Sequence, residues 1–363
     1  MVFFKKGFGL LLIAITFCLL KFSAPTFVES FYSTNVFLSI RHFYNQLNHF
    51  FHFPISYIFL VISIAYLLFL IYRFFKKGKT KTAIFLKISN FLGILFFVFY
   101  LVWGYNYNRP TLESKLLSPL DKEIQTQEIK KEIAIIAQKA IELRRSIISD
   151  SLPFSVLTTD KEVGKMVKLS LSESLPKFNK LISNIPIRSL PDGLLMNCGI
   201  VGQYFPFTGE SNFDVGMHDI RKPVVIAHEL FHAMGHCLES DCDFLAYHYM
   251  KSSNSVYIRY SAEMEYLKYL LNDLRQRDTL DFKQNLPKLI PLALKMDFDA
   301  IRENRLKYEG FFSVLGDGVN NLFLKFQGVQ EGVKSYDKLV PMVYKWKIVS
   351  QKEILENLIF KPK

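Results

Sequence analysis

Cysteine is scarce in this chain, with four in 363 residues. So few exclude a small disulfide-stapled scaffold, and no pair has the CxxC spacing of a zinc finger or dithiol redox site. Acidic residues are also in deficit, 33 against 45 Lys and Arg, which leaves a formal net charge of +12. That excess does not make a nucleic-acid binder. The chain has no zinc finger, helix-turn-helix signature or RNA-binding aromatic motif, and its cations are scattered. Lys130, Lys131 and Lys139 read as a solvated helix face, and anionic lipid head groups are the expected partner for the remaining basic residues. Internal repeats and low-complexity tracts are absent, which excludes a repeat architecture.

What is abundant is hydrophobic: half of the residues, 35 of them Phe. The excess lies in the first hundred residues. Gly7–Leu20 is an apolar run closed by Lys21, short for a span unless that lysine snorkels. Phe53–Tyr72 carries no charge, and Ile84–Trp103 carries only Lys87. Three transmembrane helices are expected, at about 7–24, 53–73 and 84–104, forming a membrane domain over 1–104. Lys5-Lys6 and an apolar core also fit a cleaved signal peptide, but Pro25 just after Ser23-Ala24 argues for an uncleaved anchor. Lys5 and Lys6 precede the first run, and Arg73, Lys76, Lys77, Lys79 and Lys81 crowd the loop between the second and third. By the positive-inside rule the N-terminus and that loop are cytoplasmic. Residues 105–363 of this multi-pass protein are then expected outside the cytoplasm, in the periplasm if the cell is Gram-negative.

The outer region carries His228-Glu229-Leu230-Phe231-His232, an HExxH motif. Residues i and i+4 share one helix face, so two imidazoles there can close on one metal ion, with the glutamate placed to take a proton from water. Pro223 opens the helix; Val224, Ala227, Phe231 and Met234 make a buried face, and Gly235 ends it in a left-handed turn. The plain alternative is a packed helix with two satisfied histidines. Two histidines do not complete a zinc site; a third protein ligand is expected. On an unbroken helix Glu239 would lie roughly 16 Å from His228, too far to share an ion, so a break at Gly235 is required. Asp241 and His236 are rivals for the third position.

Glu239-Ser240-Asp241-Cys242-Asp243 resembles the ExxAD element of glutamate-type zinc peptidases. By that resemblance Glu239 is the third ligand and Asp243 orients a ligand histidine from behind. The chain further resembles the DUF3810 family of bacterial membrane proteins, grouped by their motif with the HExxH zinc peptidases. The residues that carry this are 102–107 (VWGYNY), 204–210 (YFPFTGE), the HExxH itself, 244–247 (FLAY) and 328–337 (GVQEGVKSYD). Cys242 stands where the family usually has alanine, and Asp243 where it usually has asparagine.

The expected fold is mainly α (α+β), with the membrane helices followed by a zincin-like metallopeptidase domain. Helices are expected over Asp121–Ile148 and Asp160–Ile182, and a hairpin from Leu194–Tyr204 and Ser211–Met217. From Cys242 onward the pattern is helical, with breaks near Asp278–Thr279, Pro291 and Gly328. By resemblance the hairpin beside the motif helix pairs with extended substrate; otherwise it simply covers the core. A bridge from Cys198 to Cys237 or Cys242 would pin the turn before Glu239.

The expected activity is hydrolysis of a peptide or protein by a Zn2+-activated water, with Glu229 as general base and His228, His232 and Glu239 as ligands. Tyr204, Tyr257, Tyr260 and His218 are candidate oxyanion donors. The alternative is a metal-binding, non-catalytic membrane scaffold.

Overall fold

In a computed structural model the described residues are 7–21, 24–76, 81–115, 124–280, 288–310 and 338–349, with single positions 282, 313 and 318. The 328–337 stretch and the expected break at Gly328 lie outside them. The chain divides into two compact units, one built mainly of Met1–Pro110 with Phe205–Glu210, the other of Thr111–Tyr204 with Ser211–Ile359.

The first unit is helical. α1 spans Phe8–Lys21, followed by α2 (Pro25–Phe27), a π-helix over Val28–Val36 and α3 (Phe37–His49). α4 (Ile55–Phe75) and α5 (Lys81–Val102) complete it. α4 and α5, with 21 and 22 residues, are long and apolar enough to cross a membrane. α1 has 14 residues, fewer than the roughly 20 that a span needs. α1 runs parallel to α5. Gly9 N–H donates to Asn90 Oδ1 at 2.8 Å, and the rings of Phe17 and Phe96 lie 5.6 Å apart. A Cβ on Gly9 would stand 2.3 Å from the Ser89 carbonyl, so only glycine permits this backbone approach.

Residues 25–49, between the first two apolar runs, are helical and hold buried polar pairs. Glu29 pairs with Arg109 at 3.4 Å, and Ser33 donates to Asn106 Oδ1 at 2.7 Å. The same unit holds the turn 205–210. Arg41 Nη1 donates to the Gly209 carbonyl at 2.5 Å, and Asn48 Nδ2 to the Thr208 carbonyl at 2.7 Å. Glu210 accepts from the amides of Ile55 and Ser56 at 3.0 and 2.6 Å, which caps the start of α4 with a carboxylate. Phe207 stacks on Phe59 with centroids 5.0 Å apart.

The second unit is built on helices with one small sheet. α6 (Leu112–Lys115) leads to α7 (Thr126–Arg145), whose start is a capping box of Gln125 and Glu128. Ile129, Ile133, Ile136 and Ala140 recur at helical spacing and are buried. α8 covers Asp160–Ser174 and opens on a capping box of Thr159 and Glu162. The expected continuous helix to Ile182 does not form. Pro176 forces Leu175 out of the helical region, and a 3-10 turn then leads into α9 (Asn179–Asn184).

The sheet has the order β1-β3-β2, with β1 Ile187–Leu190, β2 Gly202–Phe205 and β3 Glu210–Asp214. The hairpin is present but shorter than expected, since Met196–Cys198 is a 3-10 turn. β1, which the sequence pattern does not reveal, pairs parallel to β3 with Ile187 opposite Ser211. α10 (Lys222–Ala233) carries the HExxH motif, followed by α11 (Glu239–Met250), α12 (Val256–Arg277), α13 (Leu292–Leu306) and α14 (Leu339–Val349). The expected breaks at Asp278 and Pro291 are the C-cap of α12 and the N-cap of α13. Val224, Ala227, Phe231 and Met234 form the buried face of α10, each at 5% exposure or less. Each such side chain contributes about 1.5–3 kcal/mol of apolar burial, Ala227 less.

All four cysteines are free, Cys198 exposed and Cys237 and Cys242 buried. The expected bridge to Cys198 is therefore absent, and a backbone turn holds the chain before Glu239 instead.

Candidate metal centre

α10 is fixed at both flanks. Ser261 Oγ accepts the Val224 amide at 3.3 Å near its start, and Ser211 Oγ of β3 donates to the Glu229 carbonyl at 3.0 Å. It ends where expected: Gly235 takes φ of 90°, and the His236 amide reaches back to the Phe231 carbonyl at 3.1 Å. That reversal brings Glu239, the first residue of α11, onto the motif.

Three acceptor atoms converge. His228 Nε2 lies 3.0 Å from His232 Nε2 and 2.9 Å from Glu239 Oε2, and His232 Nε2 lies 3.5 Å from the same oxygen. Ligand atoms about 2.0–2.1 Å from a common centre at the tetrahedral angle would stand about 3.3–3.4 Å apart. The far sides of both rings fix the tautomers. Asp243 Oδ1 can only accept, so His228 Nδ1–H donates to it, at 2.8 Å. His232 Nδ1–H donates to the His236 carbonyl at 2.7 Å. While the rings are neutral, both Nε2 atoms therefore turn lone pairs towards a carboxylate. Three lone-pair donors at these distances repel one another unless positive charge lies between them.

The titration directions say the same. Burial opposes a charged ring at His228, but Asp243 and Glu239 outweigh it and hold the imidazole well above its ordinary value. His232 is likewise raised against burial by Glu239. Glu239 is held far below the carboxylate range, burial notwithstanding, by the two histidines. A proton or a cation is what these groups demand. A zinc ion suits the donor set of two imidazoles and one carboxylate.

Glu229 points elsewhere, towards the edge strand β2. Tyr204 N–H donates to its carboxylate, and a Cβ on Gly202 would stand 2.7 Å from its Oε1. Its Oε2 is buried with no hydrogen-bond partner among the described residues. Burial raises its pKa, opposed by the nearby histidines. A carboxylate so placed can hold and release a proton.

The rivals for the third position do other work. Asp241 Oδ2 accepts the Leu112 amide at 3.2 Å, and His236 offers its carbonyl to His232. Cys242 is the competing candidate on proximity, its sulfur and the two imidazoles having ligand atoms within 4.8 Å of one another. Its Sγ, however, lies 3.3 Å from His232 Nδ1, the nitrogen on the opposite edge from Nε2, and 3.4 Å from the His236 carbonyl. Burial and the surrounding carboxylates push its thiol well above the ordinary value. Cys242 packs behind the ring of His232 and does not face the ion position.

The model of the family described as a protein of unknown function, DUF3810, matches residues 32–344, most of the chain. The chain belongs to the DUF3810 family. Searches of the curated proteins and of the solved structures find no match. For DUF3810 the match therefore gives kinship and no activity, and the chemistry must be argued from this site.

The candidate oxyanion donors are committed to other partners. Tyr257 donates to the Asp219 carbonyl at 2.6 Å, and Tyr260 donates to Asp297, which also takes Arg144. His218 Nδ1 accepts the Ile220 amide at 3.3 Å and caps the turn before α10. Tyr204 serves through its backbone amide. A participant that spacing does not reveal is Tyr269 of α12, whose hydroxyl donates to Asp243 Oδ2 at 2.9 Å. It stands 26 residues beyond Asp243, and no local motif links the two.

Proposed function

We propose that this protein is a membrane-anchored zinc metallopeptidase that hydrolyses peptide bonds outside the cytoplasm. The observation that carries the reading is the convergence of His228 Nε2, His232 Nε2 and Glu239 Oε2, with both Nδ1 atoms already donating elsewhere. Those three residues would hold the ion. When bound, zinc supplies Lewis acidity that polarises a carbonyl and acidifies water. Glu229 takes the proton from an attacking water and later delivers it to the leaving amine, the role its buried, unpartnered Oε2 suits. Asp243 holds the ring of His228, and the His236 carbonyl holds that of His232, so neither imidazole can turn away. The zincin-like reading of the second unit rests on the same arrangement, with β2 as the edge strand beside Glu229.

The anchoring reading has three spans, with the N-terminus and the Arg73–Lys81 loop cytoplasmic. It is supported by α4 and α5, and by the parallel course of α1 and α5, since helices separated by one intervening crossing run the same way. A non-catalytic scaffold has no use for a buried carboxylate with one oxygen, Oε2, left without a partner near the ligands, and Glu229 therefore favours catalysis.

The test is zinc content of the detergent-purified full chain, followed by hydrolysis of a mixed fluorogenic peptide library. One equivalent of zinc is expected, lost in His232→Ala and kept in Glu229→Gln. The glutamine variant is expected to lose about 10²–10⁴-fold in rate. A folded protein without zinc would overturn the hydrolase reading. Zinc bound with no hydrolysis, or hydrolysis unchanged by Glu229→Gln, would favour the scaffold.

A further inference from the structure

Asp243 has two carboxylate oxygens and uses both. Oδ1 accepts His228 Nδ1–H at 2.8 Å, and Oδ2 accepts the Tyr269 hydroxyl at 2.9 Å. A carboxylate held at one oxygen can still rotate about its Cβ–Cγ bond. Held at both, it presents Oδ1 to the imidazole in one orientation only. Tyr269 sits on α12, Asp243 on α11 and His228 on α10, so this line of hydrogen bonds ties the ring of one candidate ligand to the third helix along.

We infer that Tyr269 is a positioning residue for the metal centre, acting on His228 through Asp243. The inference rests on the proposed zinc site. Among the described residues the Tyr269 hydroxyl bonds to Asp243 and to none of the candidate ligands; what it supplies is the direction of the Asp243 lone pair that His228 meets. The phenol is fit for that task, because burial and the carboxylates of Asp243 and Glu265 raise its pKa well above the ordinary value and keep it a donor. Its surroundings are held as well. Lys268 pairs with Glu265, and Arg221 approaches Glu265 at 3.8 Å, so the nearest acid other than Asp243 has cations of its own. Asp243 therefore remains the acceptor for both Tyr269 and His228.

The inference is tested on the detergent-solubilised full chain by zinc titration against a competing chromophoric chelator. The proteins compared are wild type, Tyr269→Phe, Asp243→Asn and the double variant. Loss of an outer partner of a ligand histidine weakens metal binding about 10–100-fold. Asp243→Asn is expected in that range and Tyr269→Phe about tenfold, near its lower end. Because Tyr269 acts only through Asp243, the double variant is expected to bind no more weakly than Asp243→Asn alone. The metal-free thermal midpoint is measured first, and the titrations are run at a temperature where all four proteins are folded. A merely structural tyrosine would lower that midpoint and add its effect to that of Asp243→Asn. Wild-type affinity in Tyr269→Phe, beside a weakened Asp243→Asn, overturns the role of Tyr269 and leaves the metal site standing. A wild type that binds no zinc overturns both.

Discussion

Gly202 offers a way to move the proposed general base, Glu229, without substituting the proposed metal ligands. A Cβ at this position of β2 would stand 2.7 Å from Glu229 Oε1, 2.8 Å from Val225 Cγ1 and 2.9 Å from Glu229 Cγ. Unstrained contacts between such atoms are about 3.5–4.0 Å, so Gly202→Ala must open the gap between β2 and α10 by roughly 0.6–1.3 Å. Glu229 is buried and has little room to swing aside, and the crowding should cost about 1–3 kcal/mol of stability. The catalytic cost should be larger in proportion, because a misplacement near 1 Å is worth about 10²-fold in rate. The three converging ligand atoms belong to His228, His232 and Glu239 and do not contact residue 202, so zinc stoichiometry should stay at wild-type level. The assay pairs kcat on a fluorogenic peptide cleaved by the wild type with metal analysis of the same preparation. Wild-type kcat in the alanine variant would refute the placement of Glu229 beside β2 as the base. Loss of zinc together with rate would show that the substitution disturbs the whole site.

Three further outcomes are expected. The metal-free protein gains stability from imidazoles whose folded pKa is raised, a contribution present below the ordinary imidazole value of 6.5 and lost as pH rises through the raised values. Protons and zinc compete for the same nitrogens, so apparent zinc affinity should climb with pH across that window; a flat profile from 6.5 upward would contradict it. Arg144→Ala leaves Asp297 buried without its cation, removing a bond of 2.7 Å, and should destabilise the second unit by about 3–5 kcal/mol, read as a lowered thermal midpoint. Native iodoacetamide labelling should modify Cys198 and spare Cys237 and Cys242, with no mass change on reduction; protection of Cys198 that reductant removes would restore the bridge.

What the sequence discloses and what it hides divides along chain distance. His228 and His232 are four apart on a helix, Gly235 follows at once, and Glu239 and Asp243 lie within the next eight residues. Their convergence needs only helix periodicity and one left-handed turn, both of which leave marks in the residue types. Tyr269 is invisible by the same logic. Its link to Asp243 depends on how α12 packs, and a tyrosine in a chain with 18 of them carries no mark of that role. Tyr257 and Tyr260, candidates on spacing, have hydroxyls that meet Asp219 and Asp297, acceptors that only the fold supplies. The parallel pairing of β1 with β3 is hidden because a four-residue strand has too few alternations to show a period. The break at Pro176 has a local cause, since its ring disfavours a helical Leu175, but the apolar periodicity around it suggests an unbroken helix.

The turn at 205–210 has a practical consequence for how this protein can be handled. Its groups find their partners among the first 110 residues: Gly209 and Thr208 with Arg41 and Asn48, Glu210 with the opening amides of α4, Phe207 with Phe59. A fragment trimmed to the part after the hydrophobic helices would bare Phe205 and Phe207, both of which meet Phe59, and strand the Glu210 carboxylate on the hairpin that borders Glu229. Expressed without the first unit, such a fragment should aggregate or show a frayed β2. α3 and α4 thus supply the partners of a piece of chain whose sequence neighbours, Tyr204 and Ser211, belong to the second unit.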